Sequence, residues 1–189
     1  MNLVVSASGM MGSEVCEELI AKRLPVRGMV RKTSDPARVA WLKGLGVDVV
    51  VGDLRDRPSL DKNCRGVDAV IATSTSVFTY VPGENDIQRL DLEGMINLID
   101  ASRSAGVKHF VYTSFSGNID YDFPLRNAKR AVEKSLRASG LTYTWTHAPA
   151  PVFATSTKTA LPANIVLGDV ITYTITINNS GDLAATGVV

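Results

Sequence analysis

The 189-residue chain is 45% hydrophobic and 21% charged, with 20 lysines and arginines set against 19 acids. That balance suits a globular protein with a sizeable core. It excludes the strong basic field that collects nucleic acid or an anionic membrane surface. Only two histidines are present, which argues against a histidine-based metal site, and no metal is expected.

No apolar run approaches the ~20 residues that span a bilayer, so no membrane partner is expected. The chain opens on a strand-like tract and not on the charged and apolar regions of a secretion signal. Cys16 falls in a helical pattern and Cys64 in a short polar stretch. Both read as reduced thiols and the setting as cytoplasmic.

In chain order, the first apolar run, Leu3–Ala7, leads through Ser6, Ser8, Gly9, Met10, Met11 and Gly12 into the helical pattern "MMGSEVCEELIAKR". The first N–H groups of a helix have no partner within it, and the aligned peptide dipoles favour an anion there. A pyrophosphate exploits both features only if the backbone comes close. Gly9 suits that approach, and Gly12 lets the helix pack against its strand. A strand before the glycines and a helix after them favour a phosphate cradle over a merely structural turn. Ser6 stands where a third glycine is expected. It fits easily if its backbone angles are ordinary, and is strained if the turn needs positive φ.

The second run, Val26–Val30, ends at Arg31 and Lys32, where such folds read the adenosine ribose. An acid there would hold the 2′-hydroxyl of NAD. A guanidinium matches a 2′-phosphate in charge and fork geometry. NADP(H) is therefore favoured over NAD(H), the alternative being two solvated surface cations.

A helix with an Asp-Pro start, "DPARVAWLKGLG", precedes the strand Val47–Val51. A short helical turn at "RPSLDKN" precedes the strand Ala69–Thr73. The segment Asp86–Ala105 places Ile87, Leu90, Met95, Leu98 and Ile99 on roughly one helical face, expected to bury against its own sheet. The strand Phe110–Thr113 follows. A helix then repeats Leu125, Ala128, Val132 and Leu136 before Gly140, and the strand Leu141–Trp145 closes the series. Short Val/Ile-rich runs without alternation are strands buried on both faces. Their alternation with helices predicts an α/β fold: a doubly wound parallel Rossmann sheet, order 3-2-1-4-5-6, with helices on both faces.

After Trp145 the texture changes. "APAPVFATSTKTALPA" reads as an extended linker. "GDVITYTITINNSGD" then alternates Ile171, Tyr173, Ile175 and Ile177 with threonines, as a period-two strand does. "NNSGD" reads as a turn and "AATGVV" as the start of another strand. The expected division is a nucleotide-binding domain at 1–147, lacking a C-terminal substrate section, and a linker plus incomplete β fragment at 148–189.

"SASGMMGSEV", "VRKTSDP", "VVGDLRD", "SFSGN" and "RNAKRAVEKSLRASGLTYT" together resemble the atypical short-chain dehydrogenase/reductases, closest to the NmrA-like NAD(P)-binding proteins, over Met1–Thr144. The resemblance implies NADP(H) along the carboxyl edge of the sheet. Asp53 and Leu54 of "GDLRD" would border the adenine, although Asp53 reads locally as a helix cap too. Thr73 and Ser74 would lie against the cofactor backbone. Lys129 matches the family's lysine and would contact the nicotinamide ribose near the chemistry, the local alternative being an exposed helix lysine.

The same resemblance implies a tyrosine four residues before that lysine, and this chain has Leu125. The hydroxyl expected after "HFVYTS" falls on Phe115, with Ser114 and Ser116 beside it. Tyr112 and Tyr121 lack the spacing to stand beside Lys129 on one helix. With the usual proton donor missing, the reading is an NADP(H)-binding protein that reduces a quinone-like or other small conjugated electrophile. The alternatives are a non-catalytic NAD(P)H-responsive binding protein or an inactive truncated fusion. The tail "KTALPANIVLGDVITYTITINNSGDLAATGVV" resembles the start of a threonine-rich immunoglobulin-like repeat of bacterial surface proteins.

Overall fold

The structure, a computed structural model, describes residues 1–77, 79, 81–115, 121–146, 157–161 and 172–176, with 146 and the last two segments described by backbone alone. Six strands make one sheet: β1 Asn2–Val5, β2 Val26–Val30, β3 Asp48–Val51, β4 Ala69–Ala72, β5 His109–Thr113 and β6 Thr142–Thr146. They lie in the order β3-β2-β1-β4-β5-β6, as the sequence predicts. Every neighbouring pair is parallel, with Val4 opposite Gly28 on one side and Ile71 on the other. The chain reverses direction across the sheet between β1 and β4, which opens a crevice at the carboxyl ends of the strands.

Five α-helices connect them: α1 Met10–Ala21, α2 Pro36–Gly44, α3 Arg57–Asn63, α4 Met95–Ser104 and α5 Pro124–Ala138. Alternate residues of β1 feed two cores. Val4 packs with Cys16, Val30, Leu42 and Val47 on the α1–α2 face. Leu3 and Val5 pack with Leu60, Leu98, Ile99, Phe110, Val132 and Leu136 on the other. Each such side chain buried from water contributes about 1.5–3 kcal/mol relative to exposure. Asp35 starts α2, its carboxylate accepting from the Ala37 N–H at 3.0 Å. Both cysteines are free and buried. Burial pushes the Cys16 thiol up to about 11, and the Cys64 thiol upward as well, which keeps both protonated and unreactive.

The helix expected over Asp86–Ala105 is two structures in series. Ile87–Gly94 is a wide π-helical segment, started by the Asp86 carboxylate accepting from the Arg89 N–H at 2.8 Å, and α4 follows it. The five-residue step from buried Leu90 to buried Met95 matches the wide turn and not the α-helical period. Gly94, at the junction, lies against Leu54, whose Cβ would be 2.8 Å from any Cβ added there.

The backbone of a separate unit contains β7 Thr157–Leu161 and β8 Thr172–Thr176, an antiparallel pair with Thr159 opposite Thr174. β8 falls within the alternating stretch. β7 falls inside the segment read as linker, part of which is therefore strand. The turn "NNSGD" and the strand expected at "AATGVV" lie outside the described residues.

Candidate functional site

At the carboxyl ends of β1, β2 and β4 lies a cavity of about 460 Å³. The β1–α1 turn contributes Ser6, Ser8, Gly9, Met10, Met11 and Gly12 to its wall. Gly9 caps α1 with extended backbone and no side-chain cap, so no side chain occupies the space before the first turn. A Cβ on Gly12 would lie 2.2 Å from the carbonyl oxygen of Ser6, a distance no side chain tolerates. Only glycine lets α1 start this close to the strand.

Ser6 adopts φ 61°, the left-handed region. Of the two conformations open to it in the sequence, the turn takes the strained one, at a cost on the order of 1–2 kcal/mol. Its hydroxyl supplies compensation through a 2.6 Å hydrogen bond shared with the Ser74 hydroxyl, across the crevice on the β4 side. Thr73, beside it, donates to the Val5 carbonyl at 2.8 Å. These two bonds lock the β1 and β4 turns together, and Thr73 and Ser74 both line the cavity.

After β2, Arg31 lines the cavity and Lys32 does not; Lys32 is exposed to solvent. Arg31 donates to the Asn85 Oδ1 at 3.4 Å. Ser34, which sequence reasoning missed, organises this corner by accepting from the Arg31 N–H at 3.1 Å and from the Ser8 hydroxyl at 3.0 Å. The signal for it was available, since "TSDP" ends where α2 begins and small hydroxyls there favour turns.

After β3, Asp53 and Leu54 form the next part of the wall. Asp53 is not the cap of α3, a position held by Asp56. Its carboxylate instead accepts from the Arg55 N–H at 2.9 Å and pairs with the Arg55 guanidinium at 2.6 Å. That hydrogen-bonded guanidinium holds the Asp53 carboxyl below the usual range.

Lys129 is neither an exposed helix lysine nor part of the cavity wall. It lies on α5 and is only 4% exposed. Its ammonium stands 3.5 Å from Asp91 Oδ1, donates to the Thr113 carbonyl at 3.3 Å, and sits 5.0 Å over the Tyr112 ring. Asp91, wholly buried in the π-helical segment, accepts from the Ser76 N–H at 3.0 Å and the Ser76 hydroxyl at 2.5 Å. Burial pushes the Lys129 pKa down, and the Asp91 carboxylate opposes that shift.

The remaining hydroxyl candidates do not converge on Lys129. Ser114 donates to Glu133, Ser116 lies outside the described residues, and Tyr121 is exposed. Tyr112 is buried, with its hydroxyl lacking a hydrogen bond among the described residues. Burial, reinforced by the Asp91 and Glu133 carboxylates, pushes its pKa well upward and holds it in the neutral form. Among the described residues no group of three or more histidines, cysteines or acids could hold a metal. No helix there is long and apolar enough to cross a membrane.

The cavity sits where nucleotides bind doubly wound sheets. The chain is 32% identical over 145 residues to the Photosystem II assembly factor Ycf39 of Trieres chinensis, covering 75% of this chain and 43% of that one. It is 33% identical over 147 residues to the NAD(P)H azoreductase of Xenophilus azovorans, covering 77% and 46%. The NADPH-dependent quinone oxidoreductase QOR2 of Escherichia coli, solved with NADPH, superposes with a TM-score of 0.61 at 28% identity, over 77% of this chain and 47% of that one. The chain thus spans less than half the length of these relatives. The model of the NmrA-like family matches residues 2–177, continuing past Trp145, where the sequence changes texture. The chain belongs to the NmrA-like family and has its NAD(P)-binding reductase fold.

Proposed function

We propose that the cavity binds NADP(H) in preference to NAD(H), and that the chain contributes the nucleotide half of a reductase acting on small conjugated electrophiles such as quinones. The observation that carries this reading is the Gly12–Ser6 contact, a cradle that any side chain would fill, at the start of a helix. The first-turn N–H groups of α1 would receive the pyrophosphate. Arg31, whose 3.4 Å bond to Asn85 is readily exchanged, would pair with the 2′-phosphate. Asp53 and Leu54 would flank the adenine, and Thr73 and Ser74 the cofactor backbone. Lys32, exposed and off the wall, would add charge at the rim only.

Bound NADPH supplies a hydride. With Leu125 in place of a hydroxyl donor, the described residues supply no tyrosine four positions before Lys129, which suits an electrophile whose reduced form takes protons from water. The quinone and azo reductases among the similar proteins support that class of acceptor.

Leu125 favours a second reading, in which the nucleotide is bound and not turned over. The two are separated by titrating the purified chain with NADPH and NADH, followed by NADPH oxidation with and without a quinone. Micromolar NADPH binding with quinone-dependent oxidation supports the reductase. Binding without oxidation supports the sensor, and a folded chain that binds neither nucleotide refutes both.

A further inference from the structure

Asp91 is wholly buried, and only one of its carboxylate oxygens is hydrogen bonded. Oδ2 takes both donors of Ser76, while Oδ1 has no hydrogen bond among the described residues and faces the Lys129 ammonium at 3.5 Å. A buried carboxylate is costly unless a charge faces it, so this oxygen is committed to Lys129. Asp91 thereby joins two pieces of the fold. One is the segment after β4, whose Thr73, Ser74 and Thr75 line the cavity just before Ser76. The other is α5, which carries Lys129.

We propose that Asp91 is a positioning residue: it holds the Lys129 ammonium and the Thr73–Ser76 segment in one arrangement, and so fixes the part of the cavity wall that this segment supplies. The link to the nucleotide rests on the NADP(H) reading above. The ion pair itself does not.

Among the described residues, the other charged and titratable groups around Lys129 do not replace Asp91. From β5, Tyr112 presents its ring and is neutral. On α5 itself, Glu133 is engaged by Arg130 at 2.6 Å and by Ser114 at 2.5 Å, and Arg130 repels an ammonium. The Thr113 carbonyl is a dipole, not a counterion. Removing the Asp91 charge therefore leaves burial unopposed, and Lys129 loses its proton at a lower pH.

The test is a pH titration of Lys129 by NMR of 13Cε-labelled lysine in the full chain, assigned with Lys129→Met, for the native protein, Asp91→Asn and Asp91→Glu. Asp91→Asn keeps an oxygen for Ser76 and removes the charge. It should lower the Lys129 midpoint by about one pH unit or more, and Asp91→Glu should recover most of that shift. NADPH affinity, followed by nucleotide fluorescence from pH 6 to 9, should be flat for the native chain and fall toward high pH in Asp91→Asn alone. Should Asp91→Asn not fold, Ser76→Ala, which leaves the carboxylate and removes one of its anchors, should shift the midpoint in the same direction by less. An unchanged Lys129 midpoint in the folded variants overturns the proposal. A shifted midpoint in a chain that binds no NADPH upholds the ion pair and refutes the nucleotide reading instead.

Discussion

The Ser6 and Ser74 hydroxyls share a 2.6 Å hydrogen bond that bridges the β1 and β4 turns, and Ser6 makes it from a left-handed backbone conformation at φ 61°. The residue thus carries one favourable and one unfavourable contribution, and two substitutions separate them. Ser6→Ala loses the hydrogen bond and keeps the strain, destabilising by about 1 kcal/mol. Ser6→Gly loses the same bond but relieves the backbone, so it should melt above Ser6→Ala in thermal unfolding. The reverse order would mean that the backbone strain is not significant.

Gly12→Ala places a methyl group 2.2 Å from the Ser6 carbonyl oxygen. Either α1 moves away from the strand or the turn deforms, at about 1–3 kcal/mol. Both responses displace the wall of the cavity. Denaturant unfolding should register the loss, and NADPH binding should weaken at least in proportion. Full stability with full binding would show that the turn has more room than the geometry allows.

Arg31→Ala should weaken NADPH binding by about 10- to 100-fold, the equivalent of one charge-assisted hydrogen bond, and should leave NADH binding nearly unchanged. Calorimetric titration of both nucleotides reads the difference directly. Equal losses for the two would assign Arg31 to the pyrophosphate or to the fold. Lys32→Ala, exposed and off the wall, serves as the control with little effect on either.

At the opposite end of the sheet, Asp68 accepts from Lys108 at 2.7 Å and from the Met1 amino group at 2.6 Å. The Lys108 hydrogen bond, followed by that of the amino group, holds the Asp68 pKa down to about 2. A carboxyl whose pKa is depressed on folding contributes stability above its unfolded pKa of about 4, and that contribution is lost as pH falls toward the folded value. The difference in midpoint between the native chain and Asp68→Asn should therefore be constant above about pH 4 and shrink between about pH 4 and 2. Asp68 and Lys108 are exposed, so added salt should reduce the difference.

The parts of the molecule legible in sequence are those where one local rule dominates. Val26–Val30 can only be a doubly buried strand, and Asp35-Pro36 can only begin a helix. Gly9 and Gly12, between a strand and a helix, mark the close approach that the structure contains. Local rules fail where distant residues decide the outcome. Lys129 reads as a surface or ribose lysine because its partners, Asp91 and Thr113, come from other elements of the fold. The φ of Ser6 depends on a bond to Ser74 across the crevice. The interval between Leu90 and Met95 reads in sequence as part of one α-helical face and belongs instead to a wider helix. Lys32, adjacent to Arg31 and identical in charge, lies past the end of the strand, where no strand period decides which of the two faces the cavity.

The π-helical segment gives chain length a chemical meaning in this part of the molecule. Deleting one residue between Leu90 and Met95 would let the stretch continue as an ordinary α-helix in phase with Met95–Ser104. The same deletion would rotate everything before it by roughly 100° about the axis, carrying the Asp91 carboxylate away from Ser76 and Lys129 while every side chain involved remained present. In Ile87–Gly94, the number of residues specifies the buried charge pair as strictly as their identities do.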